Sequence, residues 1–236
     1  VDFVANASHE LRTPLATLLG YAETLREQGA EIDDVTRDRF LTIIHDEARR
    51  MQRLGEDLIS LSRIEAERFS PPSDPIDIGS LVMKAPSEWR PPPPEQDASI
   101  LVDVEPTLSR TTGDRKQISQ LLDNLVSNAL RYGRPGTAVR IRAAPENREM
   151  RITVSDEGEG IAAKHIPRIT ERFYRVDKAR SRNSGGTGLG LSIVKHIVER
   201  HRGRLEIDST VGIGTAVHVI LPMAGSNAGA EEPTAG

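Results

Sequence analysis

Cysteine is absent from this 236-residue chain, which excludes a disulfide framework and thiolate chemistry and fits a reducing compartment. Aromatic residues make up only 3 %, too few for a surface that stacks nucleic-acid bases. No run of about 18 apolar residues could span a bilayer as a helix, and no secretory signal peptide is visible. Neither sign of charge dominates: 31 basic residues meet 35 acidic ones for a net charge of -4, so no global field favours nucleic acid or an anionic membrane. The phosphate-binding pattern Gly-x-x-x-x-Gly-Lys-Ser/Thr is missing, as are the protein-kinase signatures. The first residue is Val1 rather than Met, so a piece of a longer protein is expected. The length suits one or two domains.

What is present divides the chain in two. Up to about residue 69 nothing reads as a strand. Leu11, Leu15, Leu18, Leu19, Ala22 and Leu25 recur at three- and four-residue steps, the period of an amphipathic helix. The stretch "EQGAEIDD" interrupts it, with Gly29 in the C-cap region. A second periodic run follows through Phe40, Ile43, Ile44, Met51, Leu54, Leu58, Leu61 and Ile64. Two long helices on a short connector predict an antiparallel hairpin. Its apolar stripe is too wide for one contact face, so two copies are expected to pair into a four-helix bundle, a homodimer.

"SPPSDP", residues 70–75, reads as a flexible linker. Beyond it strands alternate over 100–104, from Val139 and from Arg151, while 117–132 and 189–201 read as helices. Residues 205–209 and 217–221 predict a hairpin around "VGIGT". The small, polar run 224–236 is expected to be disordered.

Several stretches carry chemistry. In "FVANASHELRTPL", residues 3–15, His9 and Thr13 are four apart and share a face outside the apolar stripe. Glu10 can reach the imidazole from the side; a carboxylate on Nδ1–H fixes the tautomer and leaves Nε2 as the nucleophile. Pro14 has no N–H, so the Glu10 carbonyl loses its helical partner and a bend is expected there. For a lone His-Glu pair, an exposed histidine on a solvated helix is the stronger reading; the whole string is more specific.

In "QISQLLDNLVSNALRYG", Asn124, Asn128 and Arg131 recur at i, i+4 and i+7 on a face away from the apolar one. Asparagine is a poor helix-interior residue, and an amide oxygen suits Mg²⁺. "SDEGEGI" follows a strand: Asp156 at the strand end can accept a hydrogen bond from the adenine amino group, and Gly158 and Gly160 let the backbone approach closely. Alone it would be an ordinary glycine-rich turn. In "ERFYRVDKARSRNSGGTGLGLSIVK", Arg172, Arg175, Lys178, Arg180 and Arg182 crowd a loop suited to phosphates, or to plain solvation. Gly186, Thr187, Gly188, Leu189 and Gly190 then open a helix whose N-terminal amides suit an anion. "STVGIGT" is equally a hairpin turn or a last glycine box with Thr215.

Taken in order, these stretches resemble the boxes of bacterial two-component sensor histidine kinases. "FVANASHELRTPL" is similar to the phosphoacceptor box of the largest dimerisation class, "QISQLLDNLVSNALRYG" to the N box, and the later stretches to the first glycine box, the aromatic box with ATP lid, and the remaining glycine boxes. The resemblance runs over residues 2–222, and "RYGRPGT" and "TERFYRVD" resemble the phosphate-regulon type within it. It implies a dimerisation and histidine-phosphotransfer domain over 1–69, a linker over 70–75, and over 76–223 an α/β sandwich ATP-binding domain of the Bergerat (GHKL) type. It implies ATP and Mg²⁺ as cofactors, with His9 accepting a phosphoryl group, Glu10 as its general base, and Thr13 orienting water for the reverse reaction. Asn128 would ligate Mg²⁺, Asn124 support it, Arg131 contact phosphate and Tyr132 pack on adenine. Asp156, Gly158, Gly160 and Thr215 would surround the base, and residues 186–190 the phosphates. The implied partners are a second copy and the receiver domain of a cognate response regulator, with no nucleic acid. Membrane contact would come only through N-terminal segments outside this chain, the cytoplasmic portion of an inner-membrane-anchored sensor.

Two features depart from the pattern. Pro91–Pro94 cannot lie inside the helix the family has there, so that helix should end by Trp89 or Arg90. Gly55 interrupts the second long helix on or near its bundle face, a local weakness. Two other functions remain open at this point. One is an ATPase that drives conformational change without phosphotransfer, since heat-shock chaperones, type II topoisomerases and mismatch-repair ATPases share the nucleotide fold. The other is a degenerate scaffold that only dimerises and docks a regulator.

Overall fold

The computed structural model describes residues 2–29, 31–84, 99–108, 110–176 and 186–223. The expectations for Pro91–Pro94, for Lys178, Arg180 and Arg182, and for the tail 224–236 lie outside these residues.

Helix α1 (Asp2–Gln28) and helix α2 (Asp34–Ala66) form the hairpin. Asp33 caps α2: its carboxylate accepts the Thr36 amide at 2.9 Å and the Thr36 hydroxyl at 2.8 Å, satisfying donors that a helix start leaves open. Arg37 reaches back to the Gly29 carbonyl at 2.6 Å and ties the connector down. Tyr21 and Phe40 pair their rings across the hairpin at 4.8 Å. Helix α1 continues unbroken through Pro14, which is buried. Leu15 and Leu19 stay about half exposed in the single chain. Around Gly55 a Cβ would meet no atom within 4 Å, so its cost is one of helical propensity, about 1 kcal/mol relative to alanine.

The second half opens with β1 (Pro75–Ile76), so Pro75 belongs to a strand rather than to the linker. Helix α3 (Ile78–Met83), β2 (Ile100–Val104), β3 (Thr111–Thr112), α4 (Arg115–Tyr132), β4 (Val139–Glu146) and β5 (Glu149–Asp156) follow. A 3₁₀ turn (Ile166–Arg168), α5 (Gly190–Arg200), β6 (Arg204–Thr210) and β7 (Gly214–Pro222) complete it. β1 pairs with β3, and the other five strands form one sheet in the order β2-β4-β5-β7-β6, parallel only between β2 and β4. Period-two patterning explains the layers. Val139, Ile141 and Ala143 turn inward and are buried, while Arg140 and Arg142 between them are exposed. The inward face meets Ile118, Leu121, Leu122 and Leu125 of α4 and Ile193, Val194 and Ile197 of α5, all buried. Sheet and helices make a two-layer sandwich.

The two halves share one apolar cluster. Leu54, Leu61 and Ile64 of α2 join it, and Leu61 is fully buried, a burial that stabilises by about 1.5–3 kcal/mol. Helix α2 packs there against α5. This seam determines what the histidine helix faces.

Candidate active site

His9 lies exposed on α1, and its imidazole has no hydrogen-bond partner among the described residues. The Glu10 carboxylate does not turn to it. Its Oε2 accepts from Arg175 Nη2 at 3.0 Å and lies 3.4 Å from Arg50 Nη2. Both guanidinium side chains are over nine-tenths buried. Two buried guanidinium donors hold this one carboxylate, so the expected Glu10–His9 pairing is not the one formed here. The Thr13 hydroxyl lies 3.5 Å from the His9 carbonyl, a long back-bond along its own helix.

The strand-end group sits beside the C-terminal end of α4. Register places Asp156 on β5 opposite Thr215 on β7. Asp156 Oδ1 accepts the Gly158 amide at 2.8 Å. Burial pushes this carboxyl above the ordinary range, against the amides of Gly158 and Thr215, which pull it down. The Thr215 and Ser209 hydroxyls are 2.8 Å apart. Gly158 is required by crowding: a Cβ there would stand 2.0 Å from the Tyr132 carbonyl. Gly160 has φ +68, and its Cβ would stand 2.1 Å from the Thr210 carbonyl.

On α4, Asn124 donates through Nδ2 to the Gln120 carbonyl at 3.0 Å. Its Oδ1 lies 2.8 Å from where a Cβ of Gly190 would be, so Asn124 packs against the first residue of α5. Asn128 is half-buried, and its amide has no hydrogen-bond partner among the described residues. Arg131 is half-buried and Tyr132 is 44 % exposed.

The glycine loop leads into α5, whose start carries no side-chain cap, leaving first-turn amides for an anion. Thr187 Oγ1 accepts the Leu189 amide at 3.3 Å and donates to Asp57 Oδ2, on α2, at 2.6 Å. Gly188 has φ +74 and its carbonyl accepts the Phe173 amide at 2.8 Å. Phe173, itself at φ 62, lies 6.1 Å from the Phe3 ring at the start of α1.

Further polar contacts cross the seam. Glu65 pairs with Arg172 and lies 3.2 Å from His196; Glu67 pairs with Arg200 at 2.9 Å; Ser60 donates to Gln120 at 2.7 Å. Arg172 and Arg175, expected near phosphates, are therefore engaged by carboxylates of the hairpin. Asp57, Arg50 and Glu65 were not anticipated. Asp57 carried a signal: it stands three residues after Leu54 and four before Leu61, a carboxylate on an apolar stripe.

These residues fit the groups the boxes imply. Asn128 offers an amide oxygen with no partner among the described residues, the donor type Mg²⁺ takes together with waters. Asp156 keeps acceptor capacity beyond its bond to Gly158, and the glycines keep side chains out of the space beside it.

Residues 1–67 match the His Kinase A (phospho-acceptor) domain, and residues 113–225 match the histidine kinase-, DNA gyrase B-, and HSP90-like ATPase. The phosphate regulon sensor protein PhoR of Pseudomonas aeruginosa is 40 % identical over 216 residues, 91 % of this chain and 48 % of that protein. The sensor protein kinase WalK of Staphylococcus aureus is 39 % identical over 223 residues, 94 % of this chain and 53 % of that protein. The chain thus spans about half the length of both relatives. Among solved structures, the Acinetobacter baumannii histidine kinase AdeS shares the fold with a TM-score of 0.69 at 24 % identity, covering 92 % of this chain and 98 % of that one. The mycobacterial sensor histidine kinase MprB gives 0.55 at 28 % identity over 64 % of this chain and 97 % of its own. A phospho-acceptor hairpin followed by an ATPase sandwich defines the catalytic core of a histidine kinase. The chain belongs to the bacterial sensor histidine kinases and comprises that core.

Proposed function

We propose that the chain phosphorylates its own His9 from ATP and passes the phosphoryl group to an aspartate on the receiver domain of a response regulator. The observation that carries this is the Arg175–Glu10 hydrogen bond: a residue of the nucleotide half lies against the neighbour of an exposed histidine. His9 Nε2 attacks the γ-phosphorus; an N–P bond forms, the P–O bond to the β-phosphate breaks, and ADP leaves. Catalysis is largely positioning and charge stabilisation. Glu10 takes the imidazole proton, which requires its carboxylate to leave Arg175 and Arg50. Mg²⁺, if bound through Asn128, would supply charge neutralisation at the phosphates. Asp156, Thr215, Gly158 and Gly160 hold the adenine with Tyr132 packed on it; Asn124, Arg131 and residues 186–190 position the phosphate end. Thr13 orients water when the same surface dephosphorylates the regulator.

A second copy covers the half-exposed stripe at Leu15 and Leu19, completing a four-helix bundle. Among the described residues no helix is long and apolar enough to cross a membrane; anchoring at the inner membrane would rest on segments N-terminal to this chain. Incubating the chain with γ-labelled ATP tests the assignment. His9→Gln should lose acid-labile label while still binding nucleotide; label that persists in this variant refutes it.

A further inference from the structure

Phosphotransfer does not account for the bond between Asp57 and Thr187. The half-buried carboxylate comes from the middle of α2 and takes the hydroxyl of the glycine loop at 2.6 Å. That loop opens a helix with no side-chain cap, where a phosphate would be favoured. A carboxyl group of the hairpin already holds the hydroxyl of that loop.

We propose that Asp57 is an internal competitor for the nucleotide phosphates, a positioning residue that holds Thr187 when the two halves are docked and must leave or lose its charge when nucleotide binds. The proposal rests on the reading of residues 186–190 as the phosphate end of the nucleotide site. Two anions at one loop repel, and the repulsion is strong where water is scarce. By linkage, whatever holds Asp57 on Thr187 weakens nucleotide binding, and nucleotide weakens the docking of α2 by the same factor.

The groups facing Asp57 set its titration. Arg53, on its own helix, and Arg131, from α4, favour the carboxylate, as does the Thr187 hydroxyl; Glu56 disfavours it. Burial outweighs them and moves the carboxyl above its ordinary range. A group raised in this way takes up its proton at milder acidity than a free aspartate. The neutral form keeps no repulsion toward phosphate, so nucleotide affinity should improve as pH falls through its range.

The test is calorimetric titration of the full chain with Mg²⁺ and the non-hydrolysable ATP analogue AMPPNP. Asp57→Asn keeps an acceptor for Thr187 and removes the charge. At about pH 8 it should bind roughly tenfold more tightly than wild type, within the range of coupled sites. The gap should narrow as pH falls and the wild-type carboxyl takes up its proton; comparing the two proteins cancels the titration of the analogue itself. Asp57→Glu should stay near wild type. Wild-type binding with equal or weaker binding by Asp57→Asn, or parallel pH profiles, overturns the proposal alone. No binding by either protein overturns it together with the nucleotide reading.

Discussion

Glu10 accepts a 3.0 Å hydrogen bond from Arg175, a residue 165 positions away in the chain, while the imidazole of His9 beside it has no partner among the described residues. The proposed base and nucleophile are adjacent in sequence yet not hydrogen-bonded to each other in this arrangement. The Arg175 side chain is 6 % exposed and that of Glu10 is 31 % exposed, so the pair is far less screened than a surface ion pair.

A double-mutant cycle should detect this pair as a coupling across the seam. Glu10→Ala, Arg175→Ala and the double variant, followed by thermal unfolding, should show a coupling of about 1–2 kcal/mol. Arg50 remains beside Glu10 in each Arg175 variant and sets the upper bound. Additive effects would mean that the pair is not formed in solution.

The placement of the candidate residues was legible because each lies within one element. His9 and Thr13 share a helix face, Asn124 and Asn128 share another, and Asp156 ends a strand; periodicity alone arranges them. What joins elements was not legible. Period-three-and-four patterning showed that α2 is apolar along Leu54, Leu61 and Ile64, but a stripe does not name its partner. It was expected to meet a second hairpin, yet Leu61 is fully buried within the single chain, where α2 meets α5. For the same reason Arg172 and Arg175 could be assigned to phosphates by charge but not to Glu65 and Glu10. Asp57, set among leucines, was the local inconsistency that could have revealed the seam.

His201 should make the fold acid-sensitive. It is buried, its Nδ1 lies 2.8 Å from the Ile197 carbonyl, and its Nε2 accepts the Asp114 amide at 3.0 Å. With Nδ1–H donating, Nε2 accepts only as the neutral ring. Burial lowers the pKa from 6.5, ahead of the Ile197 carbonyl, which raises it. A lowered histidine means that the unfolded chain binds more protons between the folded value and 6.5, so stability is full above that window and falls as pH drops through it. Asp114 caps α4, the helix carrying Asn124 and Asn128, so the loss bears on the proposed nucleotide site. Melting curves from about pH 7.5 to pH 5 should fall more steeply for wild type than for His201→Gln, which has no ring to titrate. Parallel slopes would remove His201 as the cause.

Gly158 and Gly190 both leave room for a neighbour, but the neighbours differ in what they can do. At Gly158 an added Cβ would stand 2.0 Å from the backbone carbonyl of Tyr132, which is fixed by the last turn of α4. At Gly190 it would stand 2.8 Å from Asn124 Oδ1, the end of a side chain that can turn away. Gly158→Ala should therefore cost about 2–3 kcal/mol in thermal unfolding, in the range of overpacked cores. Gly190→Ala stands at a helix start and should be nearly neutral in stability, its crowding offset by a gain in helical propensity of up to about 1 kcal/mol. Its effect belongs to binding: displacing Asn124 disturbs its packing against the first residue of α5, so affinity for Mg²⁺ and AMPPNP should drop while the melting temperature holds. If Gly190→Ala unfolds as early as Gly158→Ala, Asn124 is a fixed part of the packing between α4 and α5 rather than a support for the phosphate end.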